Sequence, residues 1–228
     1  AAPLGMLEAG ADTFAGQVPT ILKANSANSL MPSESAKDQA ITANVDDALR
    51  LGCTAIGFTI YPGSSQGLEM FEEIADIRQE AAAKGLATVI WSYPRGETLS
   101  KDGETAMDVA AYAVQMAALL GAHVIKVKMP TDHLEQKEAK KVYQGEGVAI
   151  ASAAERVAHC MKAAFDGRRV VVFSGGSKKG IEGVYEDAKA IRDGGGNGSI
   201  IGRNTFQRPR DEAITMLTKL VDIYRGKL

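Results

Sequence analysis

Two lysines stand two residues apart in an apolar run, Gly121-Ala-His-Val-Ile-Lys-Val-Lys-Met-Pro130, and of all the side chains in this sequence they are the best placed for chemistry. Side chains alternate across a β-strand, so Lys126 and Lys128 share a face with Val124, while Ile125 and Val127 take the other. A lysine in a strand has an ordinary use, which is to reach the rim and neutralise a carboxylate. It also has a sharper one. Apolar walls and a neighbouring cation disfavour the ammonium, and the free amine can then attack a carbonyl to form a Schiff base. Lys126 is the expected nucleophile, with Lys128 as the neighbouring cation or, in the reverse assignment, the nucleophile itself.

Further candidates lie just past the ends of other expected strands. Val89, Trp91 and Tyr93 alternate with Thr88, Ile90 and Ser92. Tyr93 can therefore present a phenol to the same cavity as the lysines and serve as general acid or base beside an iminium; its ordinary alternative is an aromatic that fills the interior. Ser174-Gly175-Gly176 follows a strand and precedes a helix, where successive N–H groups can approach an anion. Gly202-Arg203 is expected on the next strand, and loops after the last two strands are where barrels commonly hold a phosphate. Lys23, Trp91, Arg95, Lys128 and Lys178 also fall at or just past strand ends and are candidates to contact a substrate. The glycines after Ser174 are not a Walker loop, because Ile181-Glu182 follows Gly180 where Lys and Ser or Thr would be needed. His123, His133 and His159 fall on unrelated segments with no metal-ligand spacing, so no metal is expected. The charged run Asp132 to Lys141 reads as solvated surface, or as a lid or subunit contact.

The elements that must position these groups repeat as strand, loop, helix, glycine. Ala1 to Gly5 reads as the end of a strand, and Pro19 to Ser26 as a short apolar run. A helix is expected around Lys37 to Arg50, then a strand from Thr54 to Tyr61 and a helix presenting Leu68, Phe71, Ile74, Ala75 and Ile77. Ala87 to Tyr93 is a strand, followed by a helix facing inward through Val109, Ala110, Ala113, Met116, Ala117 and Leu120. After the lysine strand come a long polar loop and a helix opened by the capping box Ser152-Ala-Ala-Glu155. Arg169 to Phe173 and Ser199 to Arg203 are the last strands, and the final helix, Asp211 to Tyr224, is expected to turn Ile214, Leu217, Val221 and Tyr224 inward. The alternation predicts a parallel α/β sheet in a single domain over 1–228, a TIM (β/α)8 barrel of which strands 2 to 8 are in this sequence. An open doubly wound sheet is the architectural alternative.

Composition narrows the partners. The net charge of -2 comes from 26 basic and 28 acidic residues, and Lys and Arg nowhere interleave with aromatics as a nucleic-acid surface requires. Cys53 and Cys160 are far apart in apolar segments and read as buried reduced thiols. No apolar run is long enough for a membrane span and no signal peptide opens the sequence, so a cytoplasmic protein is expected.

The assembled residues resemble those of class I fructose-bisphosphate aldolases of the archaeal and bacterial, DhnA-like, type. The similarity runs over essentially the whole chain and rests on Val89-Ile-Trp-Ser-Tyr-Pro-Arg-Gly96, Val124-Ile-Lys-Val-Lys128, Ser174-Gly-Gly176 and Ile201-Gly-Arg-Asn204. It implies a Schiff base on Lys126, proton transfer by Tyr93, and a phosphate site at Ser174, Gly175, Gly176, Gly202 and Arg203. It also implies no metal or other cofactor, a phosphorylated sugar as substrate, and a ring-shaped homo-oligomer. An acidic group on the first barrel strand of such enzymes has no counterpart here, and the expectation is that this strand precedes residue 1. A related lysine-dependent aldolase acting on another phosphorylated sugar, or a phosphate-binding barrel without catalysis, would carry the same features.

Overall fold

The computed structural model describes residues 1–32, 34–174 and 180–228. Its strands are β1 (Ala2–Pro3), β2 (Ile21–Lys23), β3 (Asn25–Ser26), β4 (Ala40–Ile41), β5 (Ala55–Ile60), β6 (Ala87–Ser92), β7 (Val124–Lys128), β8 (Val170–Ser174) and β9 (Gly198–Ile200). The helices are α1 (Leu4–Ala9), α2 (Ala11–Phe14), α3 (Val45–Arg50), α4 (Gly67–Ala83), α5 (Met107–Leu119), α6 (Lys137–Gly145), α7 (Ala153–Ala163), α8 (Ile181–Asp193), α9 (Arg203–Phe206) and α10 (Arg210–Tyr224). A seven-stranded sheet takes its strands in chain order, β1-β2-β5-β6-β7-β8-β9, with β3 and β4 paired apart from it. Strands in sequential order with helices between them have the connectivity of a (β/α)8 barrel.

The chain divides into two compact units, Ala1–Ser100 with Met116–Ile125, and Lys101–Gln115 with Lys126–Leu228. In the first, β1, β2, β5 and β6 pair in parallel, with Leu22 opposite Ile56 and Phe58 opposite Ile90. All six residues of β5 are buried, as expected of a parallel strand covered on both sides. The helix expected from Lys37 begins only at Val45. Ala40 and Ile41 instead pair antiparallel with Asn25 and Ser26, and Asn44 caps α3 through a reciprocal capping box with Asp47. In α4, Leu68 is exposed and the buried positions are Gly67, Met70, Ile74 and Ala81.

In the second unit β8 and β9 pair in parallel, and α8 and α10 close a core of Val184, Tyr185, Ala188, Met216, Leu220 and Ile223. The capping box of α7 forms as its sequence predicts. Two expectations are corrected. The final helix is rotated from the expected facing, so that it buries Ala213, Met216, Leu220 and Ile223 and leaves Ile214, Leu217 and Val221 exposed. Its sequence carries two adjacent apolar stripes, and the one with less bulk at its start is the one that meets α8. The last strand also ends at Ile200, so Arg203 opens α9 after Gly202 turns the chain, with the Gly202 carbonyl accepting from the N–H of Thr205 at 2.8 Å. Within the polar loop after β7, α6 is a short helix with no buried residue.

Candidate active site

In the first unit, Trp91 ends the inner row of β6. It packs with Ala55 and Val89, and the partly buried Ile21, Ala87, Tyr93 and Val124 close around them. Its ring lies over Gly57 on β5, where an added Cβ would stand 2.2 Å from the indole. Position 57 therefore has room only for glycine. Tyr93 follows Trp91 on the same face, and the next turn places Arg95 over the Tyr61 ring at 5.8 Å. The Arg95 N–H donates to the Pro62 carbonyl at 3.1 Å. Gly96 approaches the Gly63 backbone too closely for any Cβ and has φ of 140°, so the loop that carries Tyr93 and Arg95 is locked against the loop after β5. Burial pushes the Tyr93 phenol up to about 12, with Arg95 pulling the other way.

Lys23 closes β2. Its amine donates to the Asn25 carbonyl, to Asn25 Oδ1 at 2.6 Å and to Gln39 Oε1 at 3.3 Å. Asn25 is buried and takes the place of a further strand residue, donating to the Thr59 carbonyl at 2.9 Å and accepting from the Thr59 N–H at 2.8 Å. Gln39 Nε2 donates to the Tyr61 hydroxyl at 2.6 Å. The acceptors around Lys23 are thus neutral dipoles, and burial holds its amine down at about 8. Beside this network a cleft of about 470 Å³ is lined by Ser26, Asn28, Lys37, Tyr61 and Arg95 among others.

In the second unit, β7 alternates as its sequence predicts, with Val127 buried and Lys126 and Lys128 half-buried. Burial lowers the pKa of the Lys126 amine, which raises the share of free amine at neutral pH. Lys128 is an ion-paired lysine, donating to Glu104 Oε2 at 2.9 Å. Burial is the cause of the Lys126 shift. Ser174 ends β8 opposite Ile200 of β9, so Ser174 and the segment leading to Gly202-Arg203 lie at the same end of this strand pair. Arg203 is exposed at the start of α9. Gly175, Gly176 and Lys178 lie outside the described residues.

A DeoC/LacD family aldolase model matches residues 1–208. The chain belongs to the DeoC/LacD aldolase family. Within it, the fructose-bisphosphate aldolase class 1 of Thermoproteus tenax is 35% identical over 216 residues, 94% of this chain and 71% of the relative. The crystal structure of an archaeal fructose 1,6-bisphosphate aldolase matches with a TM-score of 0.80 at 31% identity, over 99% of this chain and 77% of that one. A second archaeal fructose-1,6-bisphosphate aldolase, solved with its catalytic lysine covalently bound to the carbinolamine intermediate, matches with a TM-score of 0.78 at 30% identity, over 98% and 76%. The fold is that of the family's TIM barrels.

For this aldolase-family chain, the structure gathers the expected residues in two groups. Lys23, Trp91, Tyr93 and Arg95 belong to the first unit, and Lys126, Lys128, Ser174, Gly202 and Arg203 to the second. Within the first unit, Val124 packs with Trp91 and Tyr93. Two polar residues escaped the sequence reading. Gln39 was hidden in an expected helix, and Glu104 lies in a loop well past the end of β6, although on the side of the sheet where such loops carry function. The three histidines serve as hydrogen-bond partners, His123 to the Thr88 N–H, His133 to Glu135 and His159 to Tyr143. Among the described residues no cluster of His, Cys, Asp and Glu is arranged to hold a metal, and no helix is long and apolar enough to cross a membrane.

Proposed function

We propose that the chain is a class I aldolase that reversibly cleaves fructose 1,6-bisphosphate to dihydroxyacetone phosphate and glyceraldehyde 3-phosphate. The observation that carries this reading is the half-buried Lys126 amine, shifted toward its neutral form, on β7 of an aldolase-family barrel. The names of the relatives and the trapped lysine intermediate of a structural neighbour support the choice of substrate and chemistry.

Lys126 attacks the C2 ketone, and the carbinolamine loses water to leave an iminium. Tyr93 gives its phenol proton to the hydroxyl that leaves the carbinolamine as water; as phenolate it then takes the C4 hydroxyl proton, the C3–C4 bond breaks, and its electron pair moves into the iminium to make an enamine as the aldehyde departs. A proton returned to C3 restores the iminium, and one water hydrolyses it, freeing the ketone and the Lys126 amine. The electron sink is the protonated imine, so no metal is assigned a step. Ser174, Gly175, Gly176, Gly202 and Arg203 hold one phosphate, and Lys23, Arg95 or Lys178 the other, with Trp91 forming a wall. Anchoring both remote phosphates positions the reacting carbons for the chemistry. The same reading places the protein in the cytoplasm, within glycolysis or gluconeogenesis, as a homo-oligomer.

The direct test is a coupled assay for glyceraldehyde 3-phosphate release. The wild type cleaves fructose 1,6-bisphosphate and Lys126→Met falls to background. Equal rates for the two proteins would overturn the reading.

A further inference from the structure

Lys23 closes β2, Tyr61 directly follows β5 and Arg95 lies in the turn after β6. These strands lie side by side and parallel, so the three residues come together where the strands finish, the end at which barrels bind their ligands. The hydrogen bonds among them have a fixed polarity. An ammonium only donates and has three protons to give. Those of Lys23 go to the Asn25 carbonyl, to Asn25 Oδ1 and to Gln39 Oε1. Burial brings the amine to about 8, so at neutral pH the ammonium that sets this order is present. Asn25 cannot turn its amide round, because the Thr59 backbone binds both ends of it. Gln39 is fixed in a similar way: Oε1 faces Lys23, so Nε2 faces the Tyr61 hydroxyl and donates to it at 2.6 Å.

A tyrosine hydroxyl that accepts still has its own proton to give. Among the described residues nothing accepts it, and Tyr61 lines the cleft of about 470 Å³. Arg95, 5.8 Å from the centre of the Tyr61 ring, lines the same cleft with Lys37. Asp38 is also on its wall, and Asp38 Oδ1 already accepts from the Gln39 N–H at 2.7 Å. A hydroxyl donor beside a guanidinium suits an anion with several acceptor oxygens, such as a phosphate monoester. Tyr93 feels both neighbours, Arg95 lowering its pKa and Tyr61 raising it. Since Tyr93 is assigned the proton at C4, the phosphate beside it is that of the aldehyde half. We propose that Tyr61 is a phosphate-binding donor for the aldehyde half of the sugar bisphosphate, beside Arg95, and that Gln39, held by Lys23, is the positioning residue that keeps its hydroxyl in that sense. Lys23, with its three donors spent, is not itself a phosphate ligand. This rests on the aldolase reading above and assigns its second phosphate.

The test compares a substrate with two phosphates to a ligand with one, on the full chain. One arm measures kcat/KM for cleavage of fructose 1,6-bisphosphate, and the other the dihydroxyacetone phosphate concentration for half-maximal trapping by borohydride. Tyr61→Phe should weaken cleavage by about tenfold or more beyond any change in trapping, the worth of one hydrogen bond to a charged group. Arg95→Met should weaken it further. Gln39→Glu gives the Tyr61 proton a carboxylate to go to, so it should reproduce the selective loss. Combined with Tyr61→Phe, it should lose less than the product of the two single losses. Equal losses in cleavage and trapping, or unchanged cleavage, in Tyr61→Phe would overturn the role of Tyr61 and leave the aldolase reading standing. Multiplicative losses in the double variant would refute positioning by Gln39. A wild type that does not cleave the bisphosphate, with or without an adduct, would remove the aldolase reading and this assignment with it.

Discussion

Lys126, Lys23 and Tyr93 are all partly buried titratable groups, and burial acts on each in the direction of its neutral form. For Lys126 the result is an amine suited to the proposed role of nucleophile. For Tyr93 the result is a phenol that keeps its proton through the neutral range until a positive iminium forms near it. Tyr93→Phe should therefore lower kcat by about 10²- to 10⁴-fold, the usual worth of a positioned acid or base, while borohydride still traps an adduct on Lys126. A kcat within a few fold of wild type would return Tyr93 to the role of a packed aromatic. Lys23 gives a stability prediction of definite sign. Its folded value of about 8 lies below the ordinary 10.5, so between those pH values the unfolded chain binds more protons and stability rises with pH. Below that window the buried ammonium is destabilising. Denaturant midpoints of Lys23→Met and wild type, measured without substrate from pH 7 to pH 10, should shift in favour of the wild type as pH rises. A difference that stays flat would mean that Lys23 titrates as an exposed lysine does.

At the scale of elements, β7 and α10 show what periodicity determines and what it leaves open. In β7 the alternation of charged and apolar residues is unambiguous, because a slip of one residue would bury two lysines on the wrong face. In α10 the stripe Ile214, Leu217, Val221 and the stripe Ala213, Met216, Leu220, Ile223 both satisfy helical spacing. The choice between them is made by the complementary row on α8, which sequence order does not display. Leu220→Ala should accordingly cost about 2 to 5 kcal/mol, as truncation of a packed core leucine does. Val221→Ser, at an exposed position, should stay within about 0.5 kcal/mol of wild type. Urea denaturation of the two variants measures both, and the opposite order would restore the facing read from the sequence. The shortened α3 has a similar cause, since Ala40 and Ile41 find a strand partner only when the turn after β2 brings Asn25 and Ser26 beside them.

At the scale of the whole molecule, the order of the main strands and helices was legible because β5, β6, β7, β8 and β9 are each followed within two residues by a glycine or proline and the long helices repeat their apolar positions at regular spacing. Lys126, Tyr93 and Arg95 stand out as candidates in the sequence because reactive groups in barrels follow strand ends. Gln39 and Glu104 do not, because each reaches its partner through the folded path of a loop and not through a spacing in the chain: Gln39 meets Tyr61 22 positions away, and Glu104 meets Lys128 24 positions away. The structure adds to Lys128 a carboxylate partner, Glu104, that spacing in the sequence does not display. The central claim is that Lys126 forms the Schiff base, and the measurement that bears on it most directly is mass-spectrometric location of the adduct after wild-type protein is incubated with dihydroxyacetone phosphate and borohydride. The account predicts one reduced adduct, on the peptide containing Val124 to Lys128 and at Lys126; an adduct at any other lysine, or none, would contradict it.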